Sequence, residues 1–387
     1  MILASKKLCT GCSACYASCG RGAISMVADA EGFLQPVIDE AKCVNCGLCE
    51  KACPVLSKLP LRTPLAVYAA KAKDEELRMK SSSGGVFSLL ARAVIADGGI
   101  VFGAGFDHAD WHVMHKSAEN EEELEDLRGS KYVQSEMGDV FRCVKAELAK
   151  NRKVLFSGTP CQIAGLRLFL GKPYGNLLLV DVVCHAAPSP LVWKKFLEKR
   201  LLAVTESSLS SIKRISFRRK NCGWKRYSLS LRFANDKEYL ADLTKDTFLR
   251  GFLSELYNRP SCHNCHSREL KSASDLTIAD YWRVHEKMPE MDDDKGTSLV
   301  LVNTAKGETA FKCIEDCIST RASDYGDAIR TNPAIVRSSP PNKKRSQFFK
   351  ACHTRDFDRL VIRMIRRPLW RRVGSVIKRV LKRVLEK

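Results

Sequence analysis

Cysteine is the residue whose number and spacing in this chain most directly indicate chemistry. Eight of its 17 cysteines lie within the first 53 residues, in two sets that share the spacing C-x2-C-x2-C-x3-C. The first set is Cys9, Cys12, Cys15 and Cys19, and the second set is Cys43, Cys46, Cys49 and Cys53. In two-cluster ferredoxins three close thiolates hold one [4Fe–4S] cluster, and the fourth crosses to the other cluster. We therefore predict that Cys53 completes the first cluster and Cys19 the second.

Two structural zinc sites are the alternative for these eight cysteines, because C-x2-C pairs also hold tetrahedral zinc. Zinc motifs join two pairs across a distance, whereas here each triple is followed by a fourth cysteine and the second set ends at Pro54. The spacing favours iron–sulfur clusters. Residues 1–60 are thus predicted to form a dicluster ferredoxin domain.

Composition and charge exclude several classes of protein. A chain of 387 residues with 45% apolar composition can fill several cores, which excludes a disordered chain. No apolar run has the length of a membrane span or a signal-peptide core, so a cytoplasmic location is expected. Seventeen cysteines in a reducing compartment indicate metal or redox use.

Beyond residue 60 the sequence alternates predicted strands with predicted helices. Strands are predicted at 66–71, 100–103, 153–158, 177–183 and 276–278, and helices at 85–96, 119–127 and 137–150. This alternation indicates a mixed α/β fold with an open sheet whose sites lie at strand ends. The predicted division is 61–150 and 151–342 for the two parts of this region and 343–387 for a basic, helical C-terminal tail.

Three loops rich in glycine and serine lie at strand or helix ends, the first at residues 81–85, the second at 129–135 and the third at 157–162. The first opens a helix, where free amide groups bind phosphate, although a plain helix start is the alternative. The second offers a cation and an aromatic ring. Neither a G-x-G-x-x-G nor a Walker A motif is present. The candidate cofactor-binding residues are Ser83, Gly84, Gly85, Ser130, Lys131, Tyr132, Gln134, Ser135, Ser157, Gly158, Thr159, Pro160 and Gln162.

Six strings in a fixed order carry a resemblance to a known family. They are SSSGGVFS, GSKYVQS, LFSGTPCQIAGL, VDVVCHAAPSP, CGW and SDLTIADYW, between about residues 65 and 307. Together they resemble the beta subunit family of coenzyme F420 hydrogenase and formate dehydrogenase. The resemblance implies FAD on the first three strings, an iron–sulfur cluster beside it, and hydride exchange with a deazaflavin or another organic acceptor. Ala186 and Ala279-Asp280-Tyr281-Trp282 depart from the family pattern, which weakens inference about the substrate pocket.

Four later cysteines lie in these family-like strings, namely Cys161, Cys184, Cys262 and Cys265. We expect them to converge on a third [4Fe–4S] cluster. Zinc is the alternative, because His185, His263 and His266 adjoin them. The remaining cysteines are interpreted as inert buried thiols, with Cys313 and Cys317 on one helix face. The residues so interpreted are Cys143, Cys222, Cys313, Cys317 and Cys352.

Two side chains are candidate catalytic residues. His185 could protonate a substrate, since imidazole in general changes its charge near neutral pH, or it could serve only as a hydrogen-bond partner. Asp280 follows a predicted strand and could bind ribityl or substrate hydroxyl groups, with a helix N-cap as the alternative. Trp224 and Trp282 are predicted to be core residues.

The function predicted from these features is that of an iron–sulfur flavoprotein oxidoreductase, since a flavin joins one-electron clusters to two-electron chemistry. The expected partners are a ferredoxin-like electron donor or acceptor and a small organic or deazaflavin substrate. The alternative is an electron-transfer subunit that serves a separate catalytic partner. Nucleic-acid binding is not predicted, because the globular part lacks an aromatic and basic stripe.

The basic tail carries a large part of the net charge. Lys and Arg exceed Asp and Glu by 20 over the whole chain and by 13 within residues 343–387. From Pro368 onward a narrow apolar stripe and a cationic face predict a helix that lies on an anionic membrane surface, on the inner face of the membrane. A terminal helix packed on the protein is the alternative.

Overall fold

The computed structural model describes residues 3–57, 59–204 and 208–366. The strands are β1 (Ile24–Ala28), β2 (Leu34–Ile38), β3 (Ala66–Ala72), β4 (Ile100–Phe106), β5 (Val113–Ala118), β6 (Val154–Gly158), β7 (Leu177–Val182), β8 (Ile212–Arg219), β9 (Ser228–Phe233), β10 (Glu238–Asp242), β11 (Leu276–Asp280), β12 (Ser298–Val302) and β13 (Ile318–Ser323). The helices are α1 (Ala14–Ser18), α2 (Leu48–Lys51), α3 (Glu75–Lys80), α4 (Val86–Ala96), α5 (Glu121–Leu127), α6 (Val140–Ala149), α7 (Pro160–Leu170), α8 (Pro190–Ala203), α9 (Thr247–Leu253), α10 (Ala305–Lys312), α11 (Tyr325–Thr331), α12 (Arg345–Ala351) and α13 (Phe357–Ile365).

The N-terminal ferredoxin-type domain is built from the two cysteine sets and one hairpin. Strands β1 and β2 pair antiparallel, with Ile24 opposite Ile38. The first triple runs into α1 and the second into α2, which pack against each other. Gly11 and Gly47 adopt φ of +68° and +73°, a left-handed conformation that costs glycine little and lets each loop turn around its cysteines.

An eight-stranded mixed sheet forms the centre of the molecule, in the order β13-β3-β12-β11-β7-β6-β4-β5. Its central strands β6 and β7 are almost completely buried, as their continuous apolar sequences require, because helices cover both faces. Strands β4, β6, β7 and β11 run parallel, so their carboxyl ends open on one edge. The mixed α/β prediction is confirmed, and each predicted strand and helix is present within a few residues of its predicted bounds.

A second, smaller sheet packs beside the large one, in the order β10-β9-β8. Helices α8, α9, α12 and α13 surround it with an aromatic core that includes Trp193, Phe196, Phe217, Phe248 and Phe348. Large aromatic side chains bury much apolar area each, so this cluster holds the C-terminal helices to the body.

The part of the tail that the structure describes is packed and helical. In α13, Val361 is fully buried, and in α12, Phe348 is fully buried. The membrane-lying helix predicted from Pro368 falls outside the described residues. Within the described part, no helix has the length and apolar character needed to cross a membrane.

The interpretation of the five remaining cysteines as buried thiols is wrong for four of them. Cys143, Cys222, Cys313 and Cys317 are exposed, and only Cys352 is buried. Cys313 and Cys317 do not share a helix face, because α10 ends at Lys312 and Cys317 lies in a following short turn.

Candidate functional site

One cavity of about 830 Å³ opens at the carboxyl ends of the parallel strands. All three loops line it, and so do His185, Asp280 and the four later cysteines. Every predicted cofactor-binding residue lies in its wall except Gly84. Carboxyl ends of parallel strands are where open α/β sheets bind ligands, which agrees with this placement.

Gly84 packs against β3 and β12 and does not line the cavity. A Cβ at this position would lie 2.3 Å from the Ala70 carbonyl oxygen and 2.7 Å from the Ser298 amide nitrogen. The Gly84 amide donates to Ser298 Oγ at 3.0 Å. Only glycine lets the first loop lie this close to β3 and β12.

A buried hydrogen-bond chain joins the second and third loops. Gln162 Nε2 donates to Ser135 Oγ at 2.8 Å, and Ser135 Oγ lies 3.0 Å from His115 Nδ1. The other ring nitrogen, Nε2, lies 3.1 Å from the Ser157 carbonyl oxygen, so that Nε2 carries the proton and Nδ1 accepts. Burial lowers the pKa of His115 to about 4, which keeps the ring neutral. Gln162, Ser135 and Ser157, which were predicted to contact a cofactor, thus connect the second and third loops through His115.

Two residues of the second loop, Lys131 and Tyr132, form hydrogen bonds with other protein groups. Lys131 Nζ donates to the carbonyl oxygens of Asp126 and Arg128 at 2.7 and 3.1 Å. Burial lowers the pKa of Lys131 to about 7, so an anion in the cavity would favour its charged form. The Tyr132 hydroxyl accepts from Arg218 Nη1 at 3.0 Å, and its ring lies 5.2 Å from the Phe252 ring.

Asp280 belongs to a buried ion pair at the cavity wall. Its two oxygens accept from the two terminal nitrogens of Arg218, each at 2.9 Å. Trp224 Nε1 also donates to this carboxylate, at 2.8 Å. The Arg218 guanidinium lies over the Tyr227 ring at 3.9 Å. Asp280 therefore fixes Arg218, a contact that the prediction of a hydroxyl-binding carboxylate did not include.

The two tryptophans beside this pair stack on each other. The rings of Trp224 and Trp282 are 5.0 Å apart and nearly parallel. Trp224 is buried, as a core residue should be, whereas Trp282 is partly exposed and lines the cavity. Trp282 therefore offers an aromatic surface to whatever occupies that end of the cavity.

His185 lies beside a carboxylate in the cavity wall. Its Nε2 is 2.5 Å from Glu255 Oε1. Burial alone would raise the pKa of Glu255, but the His185 contact lowers it below its usual value. The backbone carbonyls of Cys184 and His185 accept from Arg268 at 3.0 and 2.9 Å.

The four later cysteines meet at this side of the cavity. Their thiols interact electrostatically with one another, and burial raises the pKa of Cys161 to about 11 and of Cys262 to about 12. The Ala187 amide donates to Cys262 Sγ at 3.3 Å, the kind of contact that stabilises a metal-bound thiolate.

The four thiols do not form a close site for a single metal ion. Across the described residues, no three His, Cys, Asp or Glu side chains gather closely enough to hold one metal ion. Zinc needs ligands at about 2.0–2.3 Å and hence a tight tetrahedron. His263 and His266 are absent from the cavity wall, and His266 is exposed.

After the predicted crossing, we call Cys9, Cys12, Cys15 and Cys53 the inner set of the ferredoxin-type domain and Cys19, Cys43, Cys46 and Cys49 its outer set. The thiol of Cys53 interacts electrostatically with Cys9, and Cys15 interacts with Cys9 and Cys53 and also with Cys49 of the outer set. The Gly11 amide donates to Cys9 Sγ at 3.4 Å. In the outer set Cys46 is exposed, whereas Cys49 is buried.

The inner set also touches the helix that carries Cys161. A Cβ at Gly165 of α7 would lie 2.9 Å from Cys12 Sγ, so glycine permits this contact. Gly165 is four residues after Cys161, which puts both on one face of α7 within a single turn. The Cys12 and Cys161 thiols interact electrostatically.

A buried arginine connects the ferredoxin-type domain to the cavity. Arg259 Nε donates to the Cys9 carbonyl oxygen at 2.7 Å, and Nη2 donates to the Leu34 carbonyl oxygen at 2.8 Å. Its Nη1 donates to Gln134 Oε1 at 2.8 Å, while Gln134 Nε2 donates to the Thr10 carbonyl oxygen at 3.0 Å. Gln134 of the second loop is thus a link between domains.

Sequence reasoning missed four of these residues, namely His115, Arg218, Arg259 and Arg268. Arg259 precedes Cys262 by three residues, which is a weak positional signal. The other three lie in ordinary strand or loop sequence, and nothing in their local pattern distinguishes a buried cation or imidazole from an exposed one.

Models of known protein families match the same two parts of the chain. The ferredoxin-type domain and the α/β domain together define an iron–sulfur oxidoreductase. Models described as coenzyme F420 hydrogenase/dehydrogenase beta subunit, N-term and C terminus, match residues 67–142 and 151–325. A 4Fe-4S dicluster domain model matches residues 8–56. The chain belongs to the coenzyme F420 hydrogenase/dehydrogenase beta subunit family.

One solved structure is a similar chain from the F420-reducing [NiFe] hydrogenase complex of Methanosarcina barkeri, studied by xenon derivatization. It is 17% identical, with a TM-score of 0.47, and the match covers 75% of this chain and 93% of that chain. No similar sequence was found among the curated proteins.

Replacing His115 should make the free energy of unfolding depend less on pH between about 4 and 6.5. The folded-state pKa of about 4 is below the ordinary value of 6.5, so the contribution of His115 to stability is complete above pH 6.5 and is lost as pH falls toward 4. In His115→Gln, the decrease in unfolding free energy over this range should be smaller by about 3 kcal/mol. Urea unfolding at several pH values measures this, with exposed His353→Gln as the control. Identical pH profiles for His115→Gln and the wild type would contradict it.

Proposed function

We propose that this chain is an iron–sulfur flavoprotein oxidoreductase with two [4Fe–4S] clusters on the eight N-terminal cysteines, a third on Cys161, Cys184, Cys262 and Cys265, and FAD in the cavity. It would exchange hydride with coenzyme F420 or another organic acceptor. One observation supports this most strongly: the three loops and the four later cysteines line the same cavity.

Residues of the cavity suit a flavin nucleotide. Its volume of about 830 Å³ lies within the range of about 300–1,000 Å³ of ligand pockets. The first turn of α4 leaves backbone amides without helical partners beside Gly85, which suits phosphate. Buried Arg218 Nε has no partner among the described groups and lies in the cavity wall.

The cysteine sets form a continuous series from the surface to the cavity. Exposed Cys46 belongs to the outer set, buried Cys12 to the inner set, and Cys161 to the cavity wall. Bound there, the clusters supply single-electron transfer and the flavin supplies exchange between single electrons and hydride. The protein residues fix the order of the sets, because Cys12 packs on α7 one turn from Cys161.

A second candidate function is delivery of electrons to a separate catalytic protein. Val44 and Leu48 flank Cys46 in the sequence and are 58% and 50% exposed, and such apolar exposure is typical of a surface that meets a partner. A ferredoxin-like donor or acceptor would meet the chain there under either proposal.

Cofactor content tests the ligand assignments. Anaerobically purified protein should contain about 12 iron, about 12 acid-labile sulfide and about one FAD, since each four-iron cluster takes four cysteines. Cys161→Ala should lose about a third of the iron by removing a ligand of the cavity set. Exposed Cys313→Ala, outside every set, should lose none. Stoichiometric zinc without iron, or equal iron in both variants, would contradict the assignments.

Reoxidation of the reduced protein separates the two functions. After anaerobic reduction with dithionite and removal of the excess, the isolated chain should reduce oxidised F420, seen as loss of the deazaflavin absorbance. Any other organic acceptor that reoxidises the flavin directly would identify the acceptor class. If electrons leave only to an added one-electron protein, the chain is an electron-transfer subunit.

The basic tail is proposed to bind an anionic membrane surface. Its test is a deletion of residues 367–387, because a longer deletion from residue 361 would remove buried Val361 and disrupt α13. Full-length protein should sediment with phosphatidylserine vesicles at low salt, and the truncated protein should not, with equal iron and flavin content. Full-length protein that stays in the supernatant at low salt would exclude membrane binding.

A further inference from the structure

Lys220 lies buried between three segments of the chain, only 6% exposed. Its ammonium donates to the carbonyl oxygens of Arg78 at 2.7 Å, Ser83 at 3.0 Å and Lys295 at 2.6 Å. An ammonium has three protons, so these carbonyls satisfy it completely. One of the three, Ser83, belongs to the first loop of the cavity.

Arg218 reaches the same loop from two residues earlier. Its Nη2 donates to the Ser82 carbonyl oxygen at 3.3 Å, in addition to the pair with Asp280. Arg218 lies in β8 and Lys220 follows the strand's last residue, and both side chains are buried. Arg219, between them, is partly exposed and pairs with Glu238. Arg218 of β8 and Lys220, which follows the strand's last residue, thus hold two successive carbonyls of the loop.

This contact sets the direction of the loop amides. In a trans peptide the carbonyl and the following N–H point in opposite directions. With the Ser82 carbonyl held toward Arg218, the amide of Ser83 points away from β8. That amide has no hydrogen-bond partner among the described residues. The loop ends in Gly85 at φ of +90°, where α4 begins.

The charge of Lys220 is not matched by a carboxylate. Its hydrogen-bond acceptors are all neutral carbonyls, and the nearby Asp293 forms its ion pair with Arg78. Burial and the neighbouring Arg218 and Arg78 lower the pKa of Lys220 to about 7. A cation held beside a loop with free amides attracts an anion and is itself stabilised by that anion.

We propose that Arg218 and Lys220 form a cation clamp that positions the loop of residues 81–85 to bind the phosphates of the flavin nucleotide. This inference rests on the proposed binding of FAD in the cavity. The clamp residues act through the loop backbone, so they are positioning residues and not catalytic ones. Removing the clamp should weaken phosphate recognition and leave recognition of the flavin ring unchanged.

The test compares two ligands that differ in phosphate. Protein freed of flavin is titrated with FAD and with riboflavin, which has the ring and the ribityl chain but no phosphate. Lys220→Met should raise the Kd for FAD at least tenfold and leave the Kd for riboflavin within twofold of the wild type. Lys220→Arg should restore part of the FAD affinity, because it returns a cation. Arg219→Met is the matched control, since it removes the cation between the two clamp residues, which pairs with Glu238 and not with the loop.

Three results would overturn the inference, and they are distinguishable. An FAD Kd in Lys220→Met within twofold of the wild type means that the clamp does not position the loop. Equal losses for FAD and riboflavin mean that the residue supports the fold in general, which melting temperature and iron content would also show. Failure of the wild type to bind FAD would instead refute the proposed function on which the clamp depends.

Discussion

The arrangement of the whole site depends on one buried guanidinium, that of Arg259. It is 1% exposed and makes three hydrogen bonds of 2.7–2.8 Å to Cys9, Leu34 and Gln134, which belong to two domains. Burying a charge without an anionic partner is costly, by several kcal/mol. The electrostatics give a reason for tolerating that cost: Arg259 lies near enough to Cys161 and Cys262 to favour their thiolate forms. A cation is therefore placed where cluster ligands would concentrate negative charge.

Because Arg259 fixes the position of the ferredoxin-type domain, the order of the cysteine sets follows. Gly11 has no room for a Cβ, which would lie 2.7 Å from Arg259 Nη1. Gly165 likewise admits the Cys12 thiol to the surface of α7. Two close contacts that only glycine allows, on either side of one arginine, hold the inner cysteine set against the cavity wall.

Local pattern was sufficient to predict the parts of this structure that depend on local chemistry. The spacing of the N-terminal cysteines, the apolar strands β6 and β7 and the three loops were all readable, because each is defined within about ten residues. The clamp residues Arg218 and Lys220 were not, since five other basic residues lie nearby in the sequence, and only tertiary packing determines which cations are buried. At Gly84 the sequence suggests phosphate binding, and the close approach of β3 and β12 is a further reason for glycine that only the structure reveals. The exposure of Cys143 was likewise decided by which face of α6 meets the sheet.

Under the proposed function, the cysteines differ in exposure where they would serve different chemistry. Cys46, in the outer set, is exposed, Cys9 and Cys12 are buried, and the four cysteines of the cavity wall are partly buried. Single electrons can pass between proteins wherever two centres approach, so an exposed set suits exchange with a partner. Hydride exchange requires a site that excludes water and holds its groups in fixed positions. Under the proposed function, the clamp, the His115 chain and the Asp280 pair would supply that fixed geometry in the cavity. A spatial order that runs from a cluster near the solvent to a flavin in the cavity would meet both requirements.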